Sequence, residues 1–128
     1  MFSLKSEIVV IGAGRVSYSL VSALVKSGLK VSSIISKRTS SAKALASKFK
    51  IKNYSSDFES ILPDAKIFFL TVPDNQILSV AKKLSELNLD FRNSLFVHLS
   101  GAEDASVLKI LQKKKAVVAS FHIMQSFP

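Results

Sequence analysis

The stretch Glu7-Ile-Val-Val-Ile-Gly-Ala-Gly-Arg-Val-Ser-Tyr-Ser-Leu20 runs an apolar strand into a glycine-rich turn and then into helical periodicity. Gly12 suits a tight turn, Gly14 lets backbone N–H groups approach a phosphate, and a helix opening at Arg15 turns its positive dipole end toward that phosphate. The position of a third glycine holds Ser17, small enough for the helix to pack closely on the strand. An ordinary tight turn shares parts of this pattern. The fall of Gly-x-Gly-x-x-Ser at the boundary between strand and helix favours a dinucleotide cradle, with Gly12, Ala13, Gly14, Arg15 and Val16 at the pyrophosphate.

Outward from this unit, apolar runs alternate with helical stretches along the whole chain. The pattern predicts strands over residues 8–11, 31–35, 51–53, 67–71, 95–99 and 117–120, and helices over 15–27, 41–49, 57–62, 75–87 and 105–113. Gly28 serves as a helix stop, and Pro63-Asp64 and Pro73-Asp74 mark turns. Ile77, Leu78, Val80, Ala81, Leu84 and Leu87 form an apolar stripe assigned to the core. Strand–helix alternation implies an α/β class with a doubly wound, mostly parallel sheet. With 128 residues, 48% of them hydrophobic, the chain forms one domain, residues 1–128. In such sheets ligands lie beyond the carboxyl ends of the strands, so function is sought in the loops that follow them.

The loop after the second strand bears on which dinucleotide binds. A site for NAD usually places an acid there, about 20 residues past the glycines, to hold the ribose 2′-hydroxyl. This chain has Ser36-Lys37-Arg38-Thr39-Ser40 instead. Arg38 can pair with a 2′-phosphate in a bidentate fork while Ser36 and Thr39 donate hydrogen bonds, so the loop favours NADP over NAD. Thr39 or Ser40 can also cap the following helix, which is compatible with phosphate binding.

Two further loops supply candidates. In Thr71-Val-Pro-Asp74, Val72 and Pro73 are placed at the cofactor and Asp74 mainly as a helix cap. His98-Leu-Ser-Gly101 ends the fifth strand: Ser100 and Gly101 can meet an anionic substrate group, and His98 is either a satisfied structural residue or a catalytic candidate. Ser100 and His122 complete the catalytic candidates. No Ser/His/Asp set, carboxylate pair or phosphoryl-transfer loop supports a hydrolase or a kinase.

The net charge is +9, and its distribution is uneven. From Ile8 to Ser56 there is no acid, while nine cations fall in the same interval, which makes the first half attractive to anions. Aromatic residues do not interleave with the lysines, so no nucleic-acid partner is expected. Cysteine is absent, which removes disulfides and thiolate chemistry, and two distant histidines make a metal site improbable. Neither a signal peptide nor a membrane span is expected, and the reading is cytoplasmic.

Taken in order, Ile11-Gly-Ala-Gly-Arg-Val16, Ser36-Lys-Arg38, Thr71-Val-Pro-Asp74, His98-Leu-Ser-Gly101 and Ser120-Phe-His-Ile-Met-Gln-Ser-Phe127 resemble the Rossmann-like amino-terminal domain of a family of NADP oxidoreductases. That family is similar to pyrroline-5-carboxylate reductases, deazaflavin-dependent NADP reductases and the 6-phosphogluconate and hydroxyacid dehydrogenases. The resemblance implies NADP at residues 12–16 and 36–39 and a substrate edge near His98, Ser100 and Gly101. Ser17 departs from the usual glycine, and Phe121-His-Ile-Met departs from the usual small residue and His-Pro-Leu. Relatives carry a helical second domain that forms much of the active site and the dimer interface. The chain is therefore expected to be either a piece of a longer enzyme or a naturally short protein.

These readings converge on an NADP-binding domain of an oxidoreductase that transfers hydride to or from a small carbonyl, imine or hydroxyacid. The alternative is a non-catalytic module that binds or senses NADP(H). A methyltransferase using S-adenosylmethionine also has a glycine-rich first loop, but needs an acid where Lys37 and Arg38 stand. Phe121, Ile123, Met124 and Phe127 predict an apolar surface for a partner, either a missing carboxyl-terminal domain or a second copy.

Overall fold

A parallel strand covered on both faces needs an apolar side chain at every position, and the strand β1 (Ile8–Ile11) is buried at all four. It sits near the centre of a sheet of six parallel strands. The others are β2 (Val31–Ile35), β3 (Asn53–Ser55), β4 (Ile67–Leu70), β5 (Leu95–His98) and β6 (Val117–Ser120), in the order β3-β2-β1-β4-β5-β6. The computed structural model describes residues 2–3, 5–100 and 105–121.

Among the described residues four α-helices connect the strands: α1 (Arg15–Lys26), α2 (Thr39–Lys48), α3 (Asp74–Ser85) and the single turn α4 (Lys109–Gln112). One core joins α1 and α2 to Ile8, Val10, Val31 and Ile34 of the sheet through Leu20, Val21, Leu45 and Ala46. The other lies on the opposite face, where Ile77, Val80, Ala81, Leu84 and Leu111 pack on Val9, Ile11, Phe68, Leu70 and Phe96. Phe68 and Phe96 stack there with centroids 4.5 Å apart. The fold is therefore the doubly wound, Rossmann-like α/β arrangement that the alternation implies.

Helix α1 ends as the sequence indicates. Gly28 adopts φ +80, and Leu29 N–H reaches back to the Leu24 carbonyl at 3.0 Å, closing the helix with a left-handed cap. Lys50 (φ +57) and Lys115 (φ +76) play the same part after α2 and α4 without being glycine.

Several element boundaries differ from expectation for local reasons. The third strand runs over Asn53–Ser55 rather than 51–53, because Ile51 is still tied to Ala46 of α2 and pairing with β2 starts at Asn53. The helix expected over 57–62 is one 3-10 turn, Phe58–Ser60, opened by Asp57 accepting from Glu59 N–H at 2.9 Å and soon followed by Pro63. The last expected helix divides into a 3-10 turn, Ala105–Leu108, and α4. Leu78 leaves the predicted apolar stripe: it is exposed, since 100° per residue carries it off the arc shared by Ile77, Val80, Ala81 and Leu84.

Candidate functional site

The chain leaves β1 toward one face of the sheet and β4 toward the other, and the crevice between these neighbouring strands opens at their carboxyl ends. A cavity of about 580 Å³ occupies it. The loops after β1, β2, β4 and β5 all contribute to its walls, so residues spread over almost 90 positions of sequence meet in one place.

The first wall is the glycine turn. Gly12 takes φ +124, and a Cβ there would collide with the Thr71 hydroxyl and lie 3.1 Å from Ser17 Oγ. Its N–H donates to the Ile35 carbonyl at 2.7 Å, which binds the turn to the end of β2. Gly14 differs: apart from its own chain neighbours, no heavy atom lies within 4 Å of where its Cβ would be, and it is the exposed residue that opens α1. No side chain caps α1 and no acid stands in its first turn, so its leading N–H groups and positive dipole end are available to an anion. Ala13, Arg15 and Val16 line the cavity beside it.

The second wall is the β2–α2 loop. Ser36, Lys37 and Arg38 line the cavity, with both cations exposed. The buried Ser36 hydroxyl donates to the Arg38 carbonyl at 2.7 Å, so its proton shapes the loop. Thr39 does not line the cavity; its hydroxyl donates to Ser56 Oγ at 3.0 Å, and Ser41 of the same helix lines it instead. No side chain caps α2, whose N-cap position is Arg38.

Thr71, Val72 and Pro73 form the third wall. Asp74 is the first residue of α3 and makes no capping bond, contrary to the cap expected; Pro73 holds the N-cap position, and the carboxylate joins the cavity wall. Among the described lining residues it is the one acid, in a lining that also holds the cations Arg15, Lys37 and Arg38. Gln76 also lines the cavity, as the third residue of a helix whose start at Pro73-Asp74 was legible.

At the fourth wall the two candidates from β5 part company. Leu99 and Ser100 line the cavity, while His98 is fully buried behind them and does not. The His98 Nδ1 accepts the Ser100 N–H at 3.2 Å, and its carbonyl accepts from Phe121 N–H at 2.9 Å. This bond makes the ring a brace for the turn that carries Ser100. Gly101 and His122 lie outside the described residues.

A second cavity of about 240 Å³ adjoins the first and shares Ser36, Lys37, Val72 and Gln76 with it; Phe58 and Lys83 form its far side. Among the described residues no cluster of three metal-ligating side chains occurs, and no helix is long and apolar enough to cross a membrane.

Comparison with known proteins agrees with this geometry. The chain superimposes on a protein from Bacteroides fragilis assigned as an NADP oxidoreductase with a TM-score of 0.81 and 26% identity, covering 96% of this chain and 46% of that one. A prephenate dehydrogenase from A. aeolicus, solved with hydroxyphenyl propionate and NAD+, gives a TM-score of 0.80 at 16% identity over 96% of this chain and 43% of that one. A pyrroline-5-carboxylate reductase from Coxiella burnetii gives 0.76 at 17% identity over 91% and 43%. At these two lower identities the likeness is one of fold. The chain spans less than half the length of each of these three structures. No curated protein sequence matches it. The profile of one family matches residues 7–100, a span that takes in all four walls of the cavity, and on that match the chain belongs to the family described as NADP oxidoreductase, coenzyme F420-dependent.

Proposed function

We propose that the 580 Å³ cavity holds NADP in preference to NAD, and that the chain is the cofactor-holding part of an oxidoreductase acting on a small carbonyl, imine or hydroxyacid. The observation that carries this reading is the pairing of an uncapped helix N-terminus behind Gly14 with Lys37 and Arg38 at the end of β2, on a loop without a carboxylate. These residues fit the group: the open space at Gly14 admits a phosphate to the backbone, and Arg38 offers a planar fork to a second one. When bound, the nicotinamide supplies or accepts the hydride. This chain's residues do the holding. The backbone N–H groups of residues 13–16 take the pyrophosphate, Lys37 and Arg38 take the 2′-phosphate, and Val72 and Pro73 border the nicotinamide half.

Ser100 stands at the substrate edge, where its hydroxyl is suited to orient a polar substrate group. His98 holds that edge in shape through the Ser100 N–H. In this reading the cytoplasm, where NADPH is abundant as a reductant, is the natural setting, and a helical segment or second copy completes the substrate side.

Calorimetric titration with NADPH and NADH at one ionic strength tests the proposal. NADPH should bind at least ten-fold more tightly, the scale of about 1.5–3 kcal/mol for hydrogen bonds to a charged group. Arg38→Ala should remove most of that difference and leave NADH binding unchanged. Equal affinities in the unaltered protein, or binding of neither nucleotide, would overturn the reading.

A further inference from the structure

The place of the missing third glycine is taken by a residue with a bond of its own. Ser17 is 0% exposed, and its Oγ lies 2.5 Å from Thr71 Oγ1, although 54 positions separate the two in sequence. The Thr71 hydroxyl has one proton, which it donates to the Ile11 carbonyl at 2.9 Å. Ser17 is therefore the donor to Thr71, and the bonds run in one direction from Ser17 to Thr71 to Ile11. The Thr71 N–H reaches the same Ile11 carbonyl at 2.8 Å. Gly12 lies directly against this pair, which is why no Cβ fits there.

Backbone pairing already joins Ile11 to Thr71, and the hydroxyl bonds add α1 to that junction. Ser17 belongs to the first turn of α1, Ile11 ends β1, and Thr71 opens the β4–α3 loop. The two loops so joined both line the 580 Å³ cavity. On the reading above, one takes the pyrophosphate and the other borders the nicotinamide half. A part-buried bond between hydroxyls, with its acceptor already committed, has one favourable arrangement, so it sets the spacing of the two loops rather than merely filling space.

We propose that Ser17 and Thr71 are a pair of positioning residues that lock the glycine turn to the β4–α3 loop and so hold both portions of the dinucleotide at one separation. The inference rests on the NADP reading for its ligand, but the lock itself is a property of the free protein. A ligand that spans both loops should sense it, and one that reaches only the first and second walls should not. Adenosine 2′,5′-bisphosphate is such a short probe.

The test compares Ser17→Ala, Thr71→Val, Thr71→Ser and the double variant Ser17→Ala/Thr71→Val, each titrated with NADPH and with the bisphosphate well below its melting temperature. Ser17→Ala should weaken NADPH binding about ten-fold and bisphosphate binding less than two-fold, whereas general destabilisation would move both together. Thr71→Ser keeps the hydroxyl and should bind within three-fold of the unaltered protein. The double variant should be no more than two-fold worse than Thr71→Val alone, since both changes break the same connection. Losses that multiply, or NADPH affinity within two-fold in Ser17→Ala, would overturn the proposal. Amide exchange without ligand separates this from failure of the NADP reading. Ser17→Ala should speed exchange in residues 12–15 and 71–72 together by five-fold or more, whatever binds, and unchanged exchange at either loop would also overturn it. If Thr71→Val does not fold, Ser17→Ala and Thr71→Ser still decide the matter.

Discussion

The two halves of the sheet are built alike and differ in what they present. Residues 8–56 contain no acid and nine cations, whereas residues 57–128 contain eight of each. The first half carries α1 and α2 on one face and brings the glycine turn and Lys37-Arg38 to the carboxyl edge. The second half packs α3 and α4 on the opposite face, and its other face borders α1. There Phe69, Val97, Ala119 and Phe121 line an apolar groove of about 520 Å³ beside α1. The lesson is a division of labour: the first half concentrates the charge that attracts an anion, and the second supplies the larger core and an apolar face.

The sharpest way to break that comparison is within β4, where neighbouring residues face opposite ways. Phe68 is fully buried and stacked on Phe96, whereas Phe69 is half-buried beside the groove. Phe68→Ala should cost about 4 kcal/mol, from lost transfer energy and the cavity left behind. Phe69→Ala removes the same atoms from a partly wet site and should cost less than half as much, about 1–2 kcal/mol. Urea unfolding of both variants measures the difference, and equal losses would mean that the groove face is as well packed as the helical one.

A second test concerns what the glycines of the first half do. Gly12→Ala places a Cβ against Thr71 in a backbone conformation that L side chains rarely adopt, so strain and overpacking together should cost about 3 kcal/mol and abolish NADPH binding. Gly28→Ala keeps the strain but meets open space, and should cost only about 1 kcal/mol with binding intact. Similar losses in the two would show that Gly12 is needed for its dihedral angles alone and not for close approach to β4.

The same contrast marks what could be read from sequence. The apolar run of β1, the turn at Gly12 and the cations after β2 are local patterns, and each lies where its spacing indicates. The doubly wound, parallel class of the sheet followed from the strand–helix alternation, because parallel strands require crossovers. What escaped reading was side-chain direction. Nothing local says that the Thr39 hydroxyl turns to Ser56, that His98 lies behind the cavity wall, or that Asp74 leaves capping and faces the crevice. Thr71 is the plainest case. Its bond to Ser17 spans 54 positions, and only the side-by-side placement of β1 and β4 makes it. The shifted β3 has a related cause: Lys50 accepts a left-handed backbone that pattern alone assigns to glycine.

The smallest expected effect belongs to the second half and concerns its ion pair. Lys66, just before β4, donates to Asp90 Oδ2 at 2.8 Å, and Asn93 donates to the same oxygen at 2.7 Å. These two bonds join the amino-terminal ends of β4 and β5, where Leu95 N–H also meets the Lys66 carbonyl. The hydrogen bond from Lys66, then that from Asn93, hold the Asp90 carboxyl below its ordinary value of 3.8. Because the folded state favours the ionised form, the pair's contribution is complete above that value and fades as the pH falls through the lower, folded one. Asp90→Asn keeps the shape and removes the charge, so it should unfold at slightly lower urea concentration at neutral pH, by a margin that shrinks as the pH is lowered below 3.8. The pair in the first half, Lys30 with Glu7 at 3.0 Å, has a more exposed lysine, so Lys30→Met should shift the urea midpoint less than Lys66→Met does. A reversed order would mean that the excess positive charge of the first half makes its one neighbouring acid more valuable than the better-shielded pair of the second.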